Sequence, residues 1–384
     1  MILKNAKLFD GNFNIVQADL SVCGEKIDTI AHDLTGDDSI DLSGCLIAPG
    51  FVDVHIHGCA GSDTCDGTRE AIAKMAGCLI QQGVTSFCPT TMTVSLPQIE
   101  AALSAAQDCY ENPPEGASVR GINMEGPYIS ANRRGAQKAE YVRKPDWREF
   151  QRLYDGCGGI VKLVDIAPEC EGGGEFIDHV SKFCNVSLAH TEVNYEQAME
   201  SFRRGITHVT HLFNAMNGLH HREPGAVGAV FDDNTVRAEI ICDGFHIHPA
   251  VLRTAFRLLG EDRSVIISDS MRAAGMPDGV FELGGQKVNV KDGWARLADG
   301  TIAGSTTNIH QEVKNLIGFG VPLRQVIKSA TINPAREIVA ENEIGSIEVG
   351  KQADLVVMDA NWNLVSVIKS GKVQFITNRP SASN

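Results

Sequence analysis

From Leu46 onward, short runs rich in β-branched residues alternate with longer stretches of helical pattern, and this alternation constrains the fold more than any other feature of the chain. The runs are Leu46–His57, Val84–Met92, Val119–Glu125, Val161–Ala167, Val186–His190, His208–Phe213, Arg237–Cys242 and Val265–Asp269. Eight such runs with helix-length connections predict a parallel (β/α)8 (TIM) barrel within an α/β fold. A doubly wound open sheet is the alternative, and it would scatter its polar strand ends over two crevices. Here His55 and His57, Glu125, His190, His211 and Asp269 all fall at the C-terminal ends of the runs, the rim where such barrels build their chemistry. The flanks lack amphipathic helices and read as short strands and turns, as in Lys7-Leu8-Phe9-Asp10-Gly11 and Ala353-Asp354-Leu355-Val356-Val357-Met358. Residues 1–48 and 345–384 are therefore expected to meet in one small β-sandwich domain, with the barrel over 49–344. Glycines and short strand-like pieces predict a β-hairpin insertion near 280–302, with the last helix deferred to about Asn308–Leu316.

A formal charge of −14 argues against nucleic acid or an anionic membrane as partner. Any anionic ligand must then be held by a local cluster of basic groups and backbone amides. The eleven cysteines are odd in number and contain no C-x-x-C pair, which predicts reduced thiols in a cytoplasmic protein. The N-terminus has no apolar signal core, and no stretch approaches the roughly eighteen apolar residues that span a bilayer.

His55 and His57 stand two apart at the end of a strand, so both imidazoles share one face. Such a pair is a ready site for zinc, iron or a similar ion, or simply two histidines at a strand end. Glu125 is followed by Gly126-Pro127, which stops the strand and leaves the carboxylate aimed across the barrel mouth. It can hold one metal or bridge two; alone it could be a helix cap or a solvated charge. His190 ends Val186-Ser187-Leu188-Ala189-His190, as a ligand or a satisfied core histidine. His208 and His211 are three apart and so face opposite ways on a strand; His211 is the one assigned to the mouth, with His208 left to packing or hydrogen bonding. Asp269, on the last strand, is suited to proton transfer with a metal-activated water, or to structural hydrogen bonding.

The ordered set, with two histidines on strand 1, glutamate on strand 3, histidines on strands 5 and 6 and aspartate on strand 8, resembles the amidohydrolase superfamily. Asp53-Val54-His55-Ile56-His57-Gly58, Glu125-Gly126-Pro127-Tyr128, Thr210-His211-Leu212-Phe213-Asn214-Ala215-Met216, Arg222-Glu223-Pro224-Gly225, Asp243-Gly244-Phe245-His246 and Ile347-Glu348-Val349-Gly350-Lys351-Gln352-Ala353-Asp354 narrow the resemblance to its N-acetylglucosamine-6-phosphate deacetylase family, essentially end to end. The resemblance implies that His190, His211 and Glu125 hold one divalent metal, zinc or iron. His55 and His57, with Glu125 bridging, would hold a second, although some relatives lack the histidine pair and use one ion. It implies Asp269 as the base that then protonates the departing amine. It also implies Arg222, backbone amides around Asn214 and Ala215, and His246 for a phosphosugar, and Ala136, Gln137, Ile302, Ala303 and Gly304 near its acetylamino group. Where some relatives have histidine, Gln137 can donate a hydrogen bond but not a proton. A homodimer is implied, with a partner residue possible near the phosphate. Within the same fold, N-acetylgalactosamine-6-phosphate deacetylase and cyclic amidase or deaminase are alternatives, because epimers differ by one hydroxyl. A non-catalytic scaffold barrel is the alternative of another class. His220, His221 and His248 carry no assigned role.

Overall fold

The computed structural model describes residues 1–377; positions 378–384 of the expected terminal β-domain lie outside the described residues. Eight parallel strands form the barrel: β1 (Phe51–Ile56), β2 (Val84–Thr91), β3 (Ile122–Met124), β4 (Val161–Ile166), β5 (Asn185–Leu188), β6 (His208–Val209), β7 (Arg237–Ile240) and β8 (Ser264–Ile266). They pair in sequence order from β1 to β8, and Ser118–Val119 adds a short strand beside β2. Beyond the end of β8 the ring closes on β1: Asp269 N donates to His55 O at 2.9 Å, His57 N to Ser270 O at 2.9 Å, and Ser268 Oγ to Asp53 Oδ2 at 2.6 Å.

The run Leu46–His57 is two strands rather than one. Leu46–Pro49 belongs to the terminal sheet and β1 to the barrel, with Gly50 between them. A Cβ on Gly50 would lie 2.2 Å from Thr85 Oγ1, so only glycine lets the chain cross over β2. Val52, Val54, Cys88, Leu163, Val265 and Ile267 pack together with Ala335, Ile338 and Ile344, which belong to and follow a short helix. A larger core lies between the strands and the outer helices. The helix Arg69–Gln81 illustrates how sequence places that layer. Thr68 caps it by accepting from Ala71 N, and Ile72, Met75, Ala76 and Leu79, spaced three and four apart, are its buried face. Losing such a cap costs about 1 kcal/mol.

The chain ends meet in one connected sheet, in which Leu355–Met358 runs antiparallel to Leu46–Pro49. Its own core includes Leu3, Leu8, Leu20, Ile47, Leu355 and Val357. The buried Lys369–Asp354 pair, 2.9 Å apart, ties it, and Asp354 O accepts from Gly50 N at the junction with the barrel. Removing one partner of a buried pair costs about 3–5 kcal/mol.

The insertion after β8 is larger than a hairpin. Strands Gly279–Leu283, Gln286–Lys291 and Trp294–Arg296 form a three-stranded antiparallel meander. The cause is two hairpin turns rather than one: Gly284-Gly285 and Asp292-Gly293 each place two successive residues at positive φ, as a two-residue turn between twisted strands requires. The deferred helix spans Ile309–Gly318, and Asn308 caps it by accepting from Gln311 N.

Candidate metal-dependent active site

His55, Glu125, His190, His211 and Asp269 come together with His57 at the C-terminal mouth of the barrel, all buried. Strand alternation accounts for only part of this. β5 and β6 end two residues before His190 and His211, and β8 ends three before Asp269. All three residues lie in the left-handed region, with φ of 44°, 30° and 45°. A non-glycine residue there costs on the order of 1–3 kcal/mol. Hydrogen bonds into the kinks hold them: Ser130 N to His190 O (2.9 Å), Asn214 N to His211 O (2.9 Å) and Ser305 N to Asp269 O (2.8 Å). His211 therefore reaches the mouth through a backbone break, whereas the expectation rested on its strand face. Glu125 follows β3 directly. Gly126, at φ 82°, packs where a Cβ would sit 2.1 Å from Thr93 Oγ1.

Two triads share Glu125: His190, His211 and Glu125 form one, and His55, His57 and Glu125 the other. Glu125 Oε1 lies 2.9 Å from His190 Nε2 and 3.1 Å from His211 Nε2, and these two nitrogens are 3.2 Å apart. Glu125 Oε2 lies 3.1 Å from His57 Nε2. The outer ring nitrogens face acceptors: His190 Nδ1 meets Arg133 O at 2.8 Å, His55 Nδ1 meets Glu239 Oε2 at 2.9 Å and His57 Nδ1 meets Thr90 O at 3.3 Å. Their hydrogens belong there, so the Nε2 lone pairs converge on a carboxylate that also only accepts. His55 Nε2 is buried with no hydrogen-bond partner. Such a convergence of acceptors is repulsive until cations fill it, and the mixed nitrogen and oxygen donors suit a divalent transition metal. Without a cation, protons take its place. Burial opposes charge on His57, but Asp269 and Glu125 hold its imidazole well above the usual range. Burial likewise opposes charge on Glu125, but His190, His211 and His57 hold its carboxyl well below the usual range. Asp269 is also lowered, against burial, chiefly by His57 and His55.

A cavity of about 260 Å³ opens over this cluster, lined by Met92, Gly135, Ala136, Gln137, Asn214, Ala215, His246, Leu283, Thr301, Ile302 and Gly304 with the ligand cluster below. Gln137 is fixed in direction: Oε1 accepts from Thr93 N at 2.7 Å and Nε2 donates to Glu125 Oε2 at 2.6 Å. His246 Nδ1 is held by Asp243 Oδ2 at 2.7 Å.

Three of the expected substrate contacts are placed differently from the rest. Arg222 is exposed on the loop after β6 and does not line the cavity. Ala303 is fully buried and also off the lining, its N donating to Ala295 O, so its neighbours Ile302 and Gly304 face the cavity instead. The backbone N–H of Asn214 is donated to His211 O at 2.9 Å, while Asn214 itself lines the cavity. Of the unassigned histidines, His248 caps the helix Pro249–Arg263, while His220 and His221 pack against each other on the surface. His208 is wholly buried between Glu239 and Glu337. Sequence reasoning missed Glu239, Asp243, Met92, Leu283 and Thr301. For Glu239 the signal was a carboxylate between Ala238 and Ile240 inside a parallel strand, where both faces are covered.

The amidohydrolase family model matches residues 46–377. An N-acetylglucosamine-6-phosphate deacetylase of Lysinibacillus sphaericus is 34% identical over 382 residues, covering 98% of each chain. An N-acetylgalactosamine-6-phosphate deacetylase of Escherichia coli O157:H7 is 36% identical over 331 residues, 85% of this chain and 87% of the relative. A mutant N-acetyl-D-glucosamine-6-phosphate deacetylase of Mycobacterium smegmatis, solved in complex with N-acetyl-D-glucosamine-6-phosphate, superposes with a TM-score of 0.92 at 30% identity, covering 97% of this chain and 98% of that one. With the ligand-like cluster at the C-terminal mouth of its barrel, the chain belongs to the amidohydrolase family.

Proposed function

We propose that this chain hydrolyses the N-acetyl group of N-acetyl-D-glucosamine 6-phosphate, giving D-glucosamine 6-phosphate and acetate. The observation that carries the reading is the shared carboxylate: Glu125 at the centre of four histidines, with Asp269 Oδ1 3.2 Å from His57 Nε2, beneath a cavity of about 260 Å³. The family match and the relatives supply the substrate class. His190, His211 and Glu125 would hold one divalent ion and His55, His57 and Glu125 a second, zinc or iron in either place. Bound there, the ions would supply Lewis acidity and make water nucleophilic at neutral pH.

The chain's own groups do the rest. Asp269, ionised and buried, takes the proton from the attacking water and passes it to the sugar nitrogen, because an amine leaves only when protonated. The Nε2 hydrogens of Gln137 face the reaction side of Glu125, where one can be offered to the acetyl oxygen. His246, buttressed by Asp243, and Ala215 line the same cavity, where they can meet the sugar phosphate. For Arg222 to meet the phosphate, its exposed loop must close over the cavity or present it to a second copy of the chain. We assign a homodimer on that ground, with Leu219 (56% exposed) on the same loop as apolar surface for a partner to cover. Buried free thiols such as Cys88, Cys184 and Cys242 support a reducing, cytoplasmic location, and no helix among the described residues is long and apolar enough to cross a membrane.

Acetate release from N-acetylglucosamine 6-phosphate, before and after chelation and after metal is restored, tests the reading. Turnover that survives complete chelation would refute the metal assignment, and equal turnover of the unphosphorylated sugar would refute a phosphate subsite. The 36% identity to a galactosamine-type enzyme favours a second reading, the galacto epimer. Running both phosphosugars side by side decides between them.

A further inference from the structure

Behind His55 a line of buried charged groups runs away from the cavity. His55 Nδ1 lies 2.9 Å from Glu239 Oε2, and Glu239 Oε1 lies 3.0 Å from His208 Nε2. His208 Nδ1 lies 2.6 Å from Glu337 Oε2, an ion-pair contact rather than an aligned hydrogen bond. Glu337 in turn accepts from Arg237 Nη1 at 2.5 Å and Asn185 Nδ2 at 3.0 Å. His55, Glu239 and His208 are fully buried and Glu337 is 2% exposed, so water does not screen them.

Counting protons along this line fixes its state. Both ring nitrogens of His208 face carboxylate oxygens, which only accept, so both carry hydrogen and His208 is an imidazolium. Glu239, His208, Glu337 and Arg237 then alternate in sign and sum to zero, and with a cation at Nε2 His55 is the neutral end of the line. Glu239, which already receives the His208 hydrogen on Oε1, turns Oε2 to the Nδ1–H of His55. His55 is left with Nε2 free, 4.0 Å from Glu125 Oε1 and 3.7 Å from Asp269 Oδ1. An isolated carboxylate behind His55 would carry an uncompensated buried charge; His208 and Arg237 remove that cost.

We propose that Glu239 and His208 are positioning residues for the half of the metal centre that uses His55: they set which ring nitrogen faces the cavity and where it points, and so how tightly that half holds its ion. This rests on the reading of His55, His57 and Glu125 as ligands. The other half, with His190 and His211, has separate support from Arg133 O behind His190 and takes only a backbone bond, Leu212 N to Glu239 O, from this line, so it does not rest on the Glu239 side chain.

The test is a titration of the chelator-stripped full chain with Co²⁺, following visible absorption, for wild type, Glu239→Gln and Glu337→Gln. Wild type should bind two ions. Glu239→Gln keeps the shape but turns an amide donor toward one imidazole N–H; it should weaken one ion about 10–100-fold and leave the other unchanged. Glu337→Gln, two groups further along the line, should give a smaller loss in the same half. As a check that needs no substitution, the zinc-loaded protein should show nitrogen-bound hydrogens on both positions of His208 by histidine ¹⁵N NMR; their absence would overturn the proton count and the proposal. Two ions held with unchanged affinities, or both weakened alike in the variants, would overturn the proposal while leaving the two-ion reading intact. A single ion in wild type would overturn both.

Discussion

Replacing Asp269 by Asn separates the proposed base from the scaffold that holds it. The position is 7% exposed with φ 45°, a conformation asparagine tolerates better than almost any other residue except glycine. Its backbone bonds, N to His55 O and O from Ser305 N, are independent of the side chain, so the fold and the barrel closure should persist. What goes is what an amide cannot reproduce, the negative charge and the capacity to accept a proton and return it. A positioned general base contributes about 10²–10⁴-fold, equivalent to about 2.7–5.5 kcal/mol in the barrier. Because Asp269 Oδ1 also lies 3.2 Å from His57 Nε2, loss of its charge should weaken the neighbouring ion, so rates must be compared with metal in excess and metal content measured on the same samples. The expected result is unchanged melting behaviour, full metal loading under excess, and acetate release reduced by at least about 10²-fold. Turnover within about tenfold of wild type at full loading would refute the assignment of Asp269 as base, since water alone does not replace a buried carboxylate that well.

Two further substitutions probe other parts of the molecule. Arg222→Ala should raise KM for the phosphorylated sugar by about 10–100-fold, the loss of a charge-assisted contact of roughly 1.5–3 kcal/mol, and leave turnover of the unphosphorylated sugar unchanged; equal effects on both substrates in steady-state kinetics would dissociate this arginine from the phosphate. Glu312 is fully buried, neither oxygen has a hydrogen-bond partner, and burial together with Asp243 pushes its carboxyl well above the usual range. The folded chain therefore binds a proton there that the unfolded chain releases above about pH 4.5, so stability falls as pH rises from that value towards the folded pKa, by about 1.4 kcal/mol per pH unit for a single site. Glu312→Gln should melt higher than wild type at pH 8 and much the same at pH 4; a lower melting temperature at both would mean that the carboxyl makes a stabilising contact.

The barrel was legible because β-branched runs and helical segments alternate with the right lengths, and the meeting of His55, His57, Glu125, His190, His211 and Asp269 at one mouth because chemistry gathers at the C-terminal ends of such runs. The histidine pair shows the limits of that reading. Period 2 explains why His55 and His57 share a face, but it gave the wrong cause for His211, whose strand ends at Val209 and whose ring is aimed by a left-handed residue. Positive φ at a histidine or aspartate has no reliable sequence signal, since these residues occupy ordinary conformations far more often. Arg222 was assigned by its motif alone, and the structure leaves it on an exposed loop. Glu239 went unread for the opposite reason. It sits in no motif and only its partners, from β1 and β6, give it meaning. Likewise the meander near 280–302 was read as one hairpin, although Asp292-Gly293 is as strong a turn signal as Gly284-Gly285.

The position of the site follows from where the barrel is closed. β1 and β8 are farthest apart in sequence among the barrel strands, yet Asp269 N bonds to His55 O and His57 N to Ser270 O, so the proposed base and one histidine pair are registered to each other by backbone hydrogen bonds. Side-chain flexibility cannot alter that register. Ser268 Oγ on buried Asp53 fastens the same seam from within, one residue before the base and two before the first histidine. Glu125 and the second histidine pair come from β3, β5 and β6 across the mouth and meet the seam only through side chains. The triad with His190 and His211 is thus set by two kinked loops, and the triad with His55 and His57 by the closure of the barrel and the charged line behind His55. The triad with His55 and His57 can therefore be disturbed without the triad with His190 and His211, because the supports are different, whereas any change that opens the β1–β8 seam displaces His55, His57 and Asp269 together.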